Sequence, residues 1–109
     1  MNRPLTMSGT TSAVQTSVGV LYVTTNYNED GDPKEVFAQL GKSGWSYMAD
    51  AQAIASLVTI ALQAGVKLSI ITKQLRNIGG GEPHHFNGSL VRSVPDAIAI
   101  ALEGQEKQA

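Results

Sequence analysis

The side chains best suited to chemistry in this 109-residue sequence are planar or cationic and stand outside its regular apolar patterns. Arginine binds phosphate through paired hydrogen bonds, aromatic rings stack on bases, and an asparagine amide matches the polar edge of a base. Together these residue types are typical of a site for a small nucleotide-derived ligand. They are Trp45, Tyr47, Arg76, Asn77, Phe86 and Arg92. For Trp45 and Phe86, packing in the core or at a subunit interface is the alternative.

A glycine-containing segment, Gly41-Lys42-Ser43-Gly44, lies between a predicted strand and a predicted helix. Backbone N–H groups at the start of a helix attract anions. A Walker A loop would need a further glycine five residues before Gly41, and the sequence does not have it. Lys42, Ser43 and Gly44, with Trp45 beside them, are therefore candidate anion contacts. The equal alternative is a simple turn in which Ser43 or Ser46 caps the helix.

Arg92 and Ser93 precede Val94, which we predict to be the N-cap of the last helix. The guanidinium group and the free N–H groups of that helix can face the same anion. We therefore predict that Arg92 binds the ligand's phosphates, with Ser93 beside it. The alternative is an exposed Arg92 without a partner, or one paired with Asp96.

Catalytic groups are hard to find in this sequence. It has no cysteine, which excludes a thiol nucleophile, a thiolate metal site and a disulfide. His84 and His85 are adjacent and lack further ligands at metal-binding spacing. The segment 26–31 resembles the first half of a calcium loop, but Phe37 occupies the position of the required carboxylate. We therefore predict a protein that is not an enzyme and has no metal and no cofactor.

Charge and hydropathy narrow the possible partners. Eight Lys and Arg against nine Asp and Glu give a net charge of -1, which argues against binding to a nucleic acid polymer. No apolar run approaches the roughly 18 residues of a membrane span, and no signal-peptide pattern is present, so a cytoplasmic location is expected.

The elements that must position these side chains follow from the spacing of apolar residues. Alternating residues predict a hairpin from strands at 18–23 and 36–40. A period of 3.6 predicts helices at 47–64, from Ser69 to the glycines at 79–81, and at 95–103. The sequence thus indicates an α+β fold, an antiparallel hairpin or small sheet packed against about three helices. We expect a mobile arm at 1–16, one domain at 17–104 and a fraying tail at 105–109.

Three finer expectations concern packing. The helix at 47–64 should bury one stripe, formed by Ile54, Leu57, Val58, Ala61 and Leu62, and should end at Gly65. Residues 79–88 should be a loop, and 89–92 a short extended piece. A two-stranded hairpin is marginally stable alone, so the sheet should gain strands from 89–92 or from another subunit. The strand at 20–23 is apolar on both faces and needs cover, so we predict a homo-oligomer, at least a dimer.

Three segments together resemble the TSCPD domain of adenosylcobalamin-dependent ribonucleotide reductases and of small stand-alone proteins. They are LYVTTNYNEDGDPKEVFAQLGKSG, AQAIASLVTIALQAGVKLSIITKQLRNIGG and SVPDAIAIALEG, and they span roughly residues 19–104. Where the family has Thr-Ser-Cys-Pro-Asp, this sequence has Arg92-Ser93-Val94-Pro95-Asp96. Without its cysteines, the chain lacks any metal or thiol role that the family would imply.

A stand-alone, cysteine-free domain is also similar to phage-encoded anti-defence sponge proteins of the Thoeris type, the Tad family. That resemblance implies an oligomer that sequesters cyclic ADP-ribose isomers or cyclic oligonucleotides, in host cytoplasm. It would place Lys42, Arg76, Asn77, Phe86 and Arg92 at the ligand. The alternative is a diverged reductase accessory or protein-interaction domain without a ligand.

Overall fold

The computed structural model describes residues 3–41, 45–80 and 82–108, with the backbone alone at 45, 107 and 108. Five strands and three helices follow one another along the chain. They are β1 (Ser8–Thr16), β2 (Gly19–Tyr27), β3 (Pro33–Leu40), α1 (Trp45–Gln63), α2 (Leu68–Leu75), β4 (His84–Phe86), β5 (Ser89–Val91) and α3 (Val94–Gln108). The predicted α+β class is confirmed.

The main sheet is antiparallel, with the order β1-β2-β3. Alternate residues of each strand point to the same face of the sheet, and the apolar ones bury one face. On β2 this face carries Leu21 and Val23, both fully buried. They meet Ile98 and Leu102 of α3 in a single core cluster to which α1 also contributes. The predicted hairpin is confirmed, because β2 pairs antiparallel with β3.

The expectation of a mobile arm at 1–16 is wrong for residues 8–16, which form the edge strand β1. Every residue of β1 pairs with β2, from Ser8 opposite Tyr27 to Thr16 opposite Gly19. Val14 is buried, and the Thr16 hydroxyl donates to the carbonyl of Gly19 at 2.7 Å. The segment has few apolar residues, but threonine favours strands and the ladder satisfies its backbone. β1 is thus the third strand of the sheet, which we expected to come from 89–92 or from another subunit.

Residues 79–88 are not simply a loop, because His84–Phe86 pair with Ser89–Val91 in a separate two-stranded sheet. The turn between them is Asn87-Gly88, with positive φ angles of 48° and 78°. Both values suit the tight turn that Asn-Gly favours. The expected extended piece at 89–92 is present, but it does not join the main sheet.

The predicted stripe of α1 is confirmed except at one residue. Four of its five residues lie in or against the core, with Ala51 and Ala55 buried beside them, whereas Leu57 is 67% exposed. The reason lies at the outer edge of β3, where the Thr59 hydroxyl accepts from the N–H of Val36 at 2.9 Å and donates to its carbonyl at 3.1 Å. Small alanines let the helix approach closely enough for this contact.

The boundaries of α1 and α2 follow backbone geometry. Gly65 ends α1 with φ +92°, as predicted. Ser69 is not the cap of α2, because the helix begins at Leu68 after Lys67, which makes no side-chain cap hydrogen bond. The helix also ends before the glycines at 79–81, because Arg76 at its C-cap is extended, with ψ 141°, and Asn77 follows with a positive φ of 66°.

Helix α3 continues through Gly104 to Gln108, so residues 105–108 of the expected tail are helical. Gln105 is buried against the sheet. Its amide nitrogen donates to the carbonyl of Val23 at 2.9 Å and to the Ser12 hydroxyl at 3.0 Å, while its carbonyl accepts from the Thr25 hydroxyl at 2.5 Å. These contacts to the sheet extend the helix past the glycine.

Candidate functional site

The start of α3 brings together four of the predicted site residues, Arg76, Asn77, Arg92 and Ser93. The group that gathers them is the fully buried carboxylate of Asp96. It accepts from Arg76 Nη1 at 2.7 Å, from the backbone N–H of Asn77 at 2.8 Å and from the backbone N–H of Arg92 at 2.9 Å. One carboxylate thus joins the end of α2, the strand β5 and the start of α3.

Asp96 is held in its ionised form. Burial raises the pKa of its carboxyl, but the hydrogen bonds from the backbone of Arg92 and Asn77 and from Arg76, with the Arg76 charge, outweigh burial and lower it. All of its bonds go to the protein itself. The group therefore acts as an anchor that arranges its neighbours.

Ser93, rather than the predicted Val94, is the N-cap of α3. Its hydroxyl accepts from the N–H of Asp96 at 3.1 Å and donates to the carbonyl of Ile78 at 2.6 Å. The spacing Ser93-x-x-Asp96 is a variant of the capping box, in which the acidic side chain reaches back to Arg92. This spacing is the sequence signal by which Asp96 could have been found.

The two arginines of the cluster differ in what they already bind. Arg76 pairs with Asp96 on one side and, through Nε, with Glu103 at 3.1 Å on the other. The Arg92 side chain makes one long hydrogen bond within the described residues, 3.4 Å from Nη1 to Oδ1 of Asn77. Within the described residues, no carboxylate forms an ion pair with Arg92. The alternative of a pair between the Arg92 side chain and Asp96 is therefore wrong, since Arg76 occupies that place.

A cleft of about 400 Å³ opens beside Ser93. Its apolar lining includes Ile54 from α1, Ile78 after α2, and Val94 and Pro95 from α3. Arg92 is not itself part of the lining, but its chain neighbours Val91 and Ser93 are, so it stands at the edge of this cleft. We refer to it below as the α3 cleft.

The α3 cleft also carries one of the aromatic candidates and two carboxylates that sequence reasoning did not assign to a site. Tyr47, which is 46% exposed, lies in its lining with the carboxylates Asp50 and Glu82. These acidic groups come from α1 and from the segment before β4. Nothing in the local sequence around Asp50 or Glu82 indicates that they share a cleft, because only the fold brings the segments together.

On the other side of the cluster, a polar groove of about 530 Å³ runs between α2 and α3. Arg76 and Asn77 line this groove, not the cleft. The two cations in the lining, Lys73 and Arg76, are matched by Glu103 and Glu106. This balance of charge makes the groove a poor place for an anion.

The remaining predicted site residues lie apart from the cluster or outside the described residues. Phe86 packs against the hydrophobic core, which agrees with its core alternative. Lys42, Ser43 and Gly44 fall outside the described residues, as does the side chain of Trp45.

Two further features bear on the chemistry. The segment 28–32 is a turn in which Oδ1 of Asn28 accepts from the N–H groups of Asp30 and Asp32, at 3.0 and 2.9 Å. In the part of the chain that the structure describes, no group of three His, Asp or Glu residues is placed to hold a metal ion. Of the three helices described, none is long and apolar enough to cross a membrane.

Comparison with known proteins gives one match. The family model of the TSCPD domain matches residues 2–105 of the 109-residue chain. No curated protein and no solved structure matches it significantly. The match covers the main sheet, α1, α2, the cluster around Asp96 and α3 as far as Gln105. The chain therefore belongs to the TSCPD domain family.

Proposed function

We propose that this protein is a non-enzymatic binding protein for a small nucleotide-derived ligand, held in the α3 cleft with its phosphates at Arg92. The observation that carries the proposal is the position of Arg92. Its backbone is fixed by the buried Asp96, its side chain has no ion-pair partner among the described residues, and the residues on both sides of it line a cleft.

The interior of the α3 cleft suits a base better than a phosphate. Its volume of about 400 Å³ lies in the range of small-molecule sites. Ile54 and Ile78 provide apolar surface, and Tyr47 provides a ring for stacking. Asp50 and Glu82 repel phosphate, but they can accept hydrogen bonds from the amino and imino groups of a base. The charged part of a ligand is therefore directed away from the interior.

Arg92 is the group suited to the phosphates. A guanidinium presents paired donors that match two phosphate oxygens. Arg76 is less suited, because Asp96 and Glu103 already accept from it. Of the predicted set, Arg92 and Ser93 therefore remain near the proposed ligand, while Asn77 lines the polar groove and Arg76 acts as part of the support.

The ligands that fit best are cyclic ADP-ribose isomers and cyclic oligonucleotides, which join bases to phosphates in a compact ring. The protein would sequester such a signal, as an anti-defence sponge does, in the cytoplasm of a host cell. A binding role, rather than catalysis, is supported by the way the charged groups of the cluster are used, since Arg76 pairs with both Asp96 and Glu103.

A second candidate is a protein-interaction domain without a ligand. TSCPD domains are found in ribonucleotide reductases, which favours an accessory role. The packing of Phe86 against the core and the pairing of Arg76 also favour it, because they remove two of the residues expected at a ligand.

Calorimetry with cyclic ADP-ribose isomers and cyclic di- and trinucleotides tests the proposal. Arg92→Ala should lose about 2 kcal/mol of affinity, roughly thirtyfold in Kd, because a phosphate oxygen loses its donors. Its melting temperature should barely change, since the bond to Asp96 comes from the backbone of residue 92. Arg92→Lys should recover only part of the affinity.

The matched control is Lys73→Ala, which removes an exposed cation from the polar groove on the other side of the cluster. It should leave binding unchanged. Ligand recovered after heat denaturation should be chemically intact, whereas an enzyme would return products. A well-folded parent that gives no heat with any of these nucleotides would refute the binding role and leave the interaction domain.

A further inference from the structure

The outer face of α1 is unusual for a helix on a protein surface. Between residues 51 and 64 the sequence has no Asp, Glu, Lys or Arg. Leu57 is 67% exposed and Ile60 is 62% exposed. Ala53 and Ala64 are exposed too, and their spacing places them on the same side of the helix as Leu57 and Ile60. The exposed Asp50 lies one turn before Ala53 and ends the uncharged part of this side of the helix. A contiguous exposed apolar patch typically marks an interaction surface, so this face is expected to have a partner.

A groove of about 690 Å³ runs alongside this face, between α1 and the sheet. Ile60 forms part of its lining, with Phe37 and Tyr22 from the sheet, which are 55% and 45% exposed. None of its lining residues is charged. The exposed apolar surface therefore continues from the helix onto the open face of the sheet.

We propose that the α1 face, formed by Ala53, Leu57, Ile60 and Ala64, is a two-fold interface with a second copy of this chain. In a two-fold interface the same patch meets itself, so residues near the axis lie opposite their own copies. Charged residues there would repel their counterparts. A patch without any charge is therefore complementary to itself, and it is poorly matched to a charged partner.

The shapes of the two parts also fit each other. Leu57 and Ile60 project from the helix as knobs, and the groove beside them offers a place for the same side chains of the partner copy. Ala53 and Ala64 are small enough to let two such helices approach to the usual packing distance of about 8–10 Å. Each copy would thus bury its own knobs in the groove of the other.

Another exposed apolar residue provides the contrast. Ile70 on α2 is 52% exposed, but Lys67 and Lys73 lie three residues away on either side of it. Two copies meeting there would place these cations together. Ile70 is therefore a matched control for Leu57 and Ile60, similar in exposure and different in its charged surroundings.

Sedimentation velocity of the full chain over the micromolar range tests this interface. The parent should be a dimer or a multiple of one. Leu57→Glu and Ile60→Glu should each raise the dissociation constant at least roughly thirtyfold, because a charge would be buried opposite its own copy. Ile70→Glu should associate like the parent. Circular dichroism melting should show all three variants folded, since the substituted side chains are exposed in the monomer.

A second measurement does not depend on introduced charge. Because the chain has no cysteine, a single introduced cysteine can form a disulfide only with another copy. Leu57→Cys or Ile60→Cys should cross-link on mild oxidation, and Ile70→Cys should not. A monomeric parent, dimers unchanged by both glutamate substitutions, or no cross-link at either position would overturn the interface. Ala53 also lines the α3 cleft, but the substituted residues Leu57 and Ile60 do not, so these outcomes do not depend on whether the cleft binds a nucleotide.

Discussion

The two ends of α3 are attached to the rest of the protein by different chemistry. At the N-terminal end the buried Asp96 carries a charge and binds Arg76 and two backbone N–H groups. At the C-terminal end the buried Gln105 is neutral and bonds Thr25, Ser12 and the carbonyl of Val23. No buried side-chain polar atom in the described residues lacks a partner, so both ends are fully satisfied.

The difference shows how stability and site formation are divided along one helix. Gln105 attaches the helix to the main sheet, and its neutral partners could be exchanged for apolar groups of similar shape. Asp96 connects segments that are far apart in the chain and fixes the backbone beside the α3 cleft. A buried charge cannot lose its partners without a large penalty. The charged end therefore specifies one arrangement, and the neutral end mainly adds stability.

The largest effect is expected from Asp96→Asn. The substitution removes the charge that pairs with Arg76 and turns one accepting atom into a donor that faces other donors. The free energy of unfolding should fall by about 3 kcal/mol or more in urea titrations. The control is Glu103→Gln, which weakens the exposed partner of Arg76 and should change stability by less than about 1 kcal/mol. An equal loss of unfolding free energy in both variants would contradict the special role of the buried charge.

A smaller effect is expected from Gln105→Leu. The Thr25 hydroxyl and Ser12 would lose their partner, and the free energy of unfolding should fall by about 2 kcal/mol. The double variant Thr25→Val with Gln105→Leu should regain part of that loss, because both buried partners are then apolar. If the double variant is no more stable than Gln105→Leu, the neutral end is as specific as the charged one.

The smallest effect concerns pH. The folded-state pKa of Asp96 lies below its ordinary value of 3.8, so its ionised form favours the folded protein. The corresponding stability is present above about pH 4 and is lost as the pH falls through the lowered pKa. The pKa of Glu35 is lowered too, by hydrogen bonds from Arg3 and Asn26, which adds a second contribution of the same sign.

Acid titration of stability should therefore separate the two ends. Urea midpoints measured between about pH 6 and pH 3 should fall for the parent and for Gln105→Leu. Asp96→Asn should lose less over the same range and retain the part that comes from Glu35. Parallel curves for the parent and Asp96→Asn would show that Asp96 does not titrate as proposed.

Several features could be predicted because they depend on local spacing. The β2–β3 hairpin, the extent of α1, its end at Gly65 and the start of α3 are close to their predicted positions. Membership of the TSCPD family was also predictable, because it rests on short motifs in order along the chain. Of the site, sequence reasoning found Arg76, Asn77, Arg92 and Ser93, which the fold brings together.

The sequence by itself determined the periodicity of the elements, the turn glycines and the residue types available for chemistry, because these depend on neighbours within a few positions. Only the tertiary structure decided that residues 8–16 form a strand, since a strand needs a partner to satisfy its backbone. It also decided that Leu57 of α1 is exposed and that Arg92, unlike Arg76, has no ion-pair partner among the described residues. Asp96 can bond Arg76 because residues 20 positions apart meet at the start of α3. Contacts over such separations follow from packing, and local sequence patterns do not specify them.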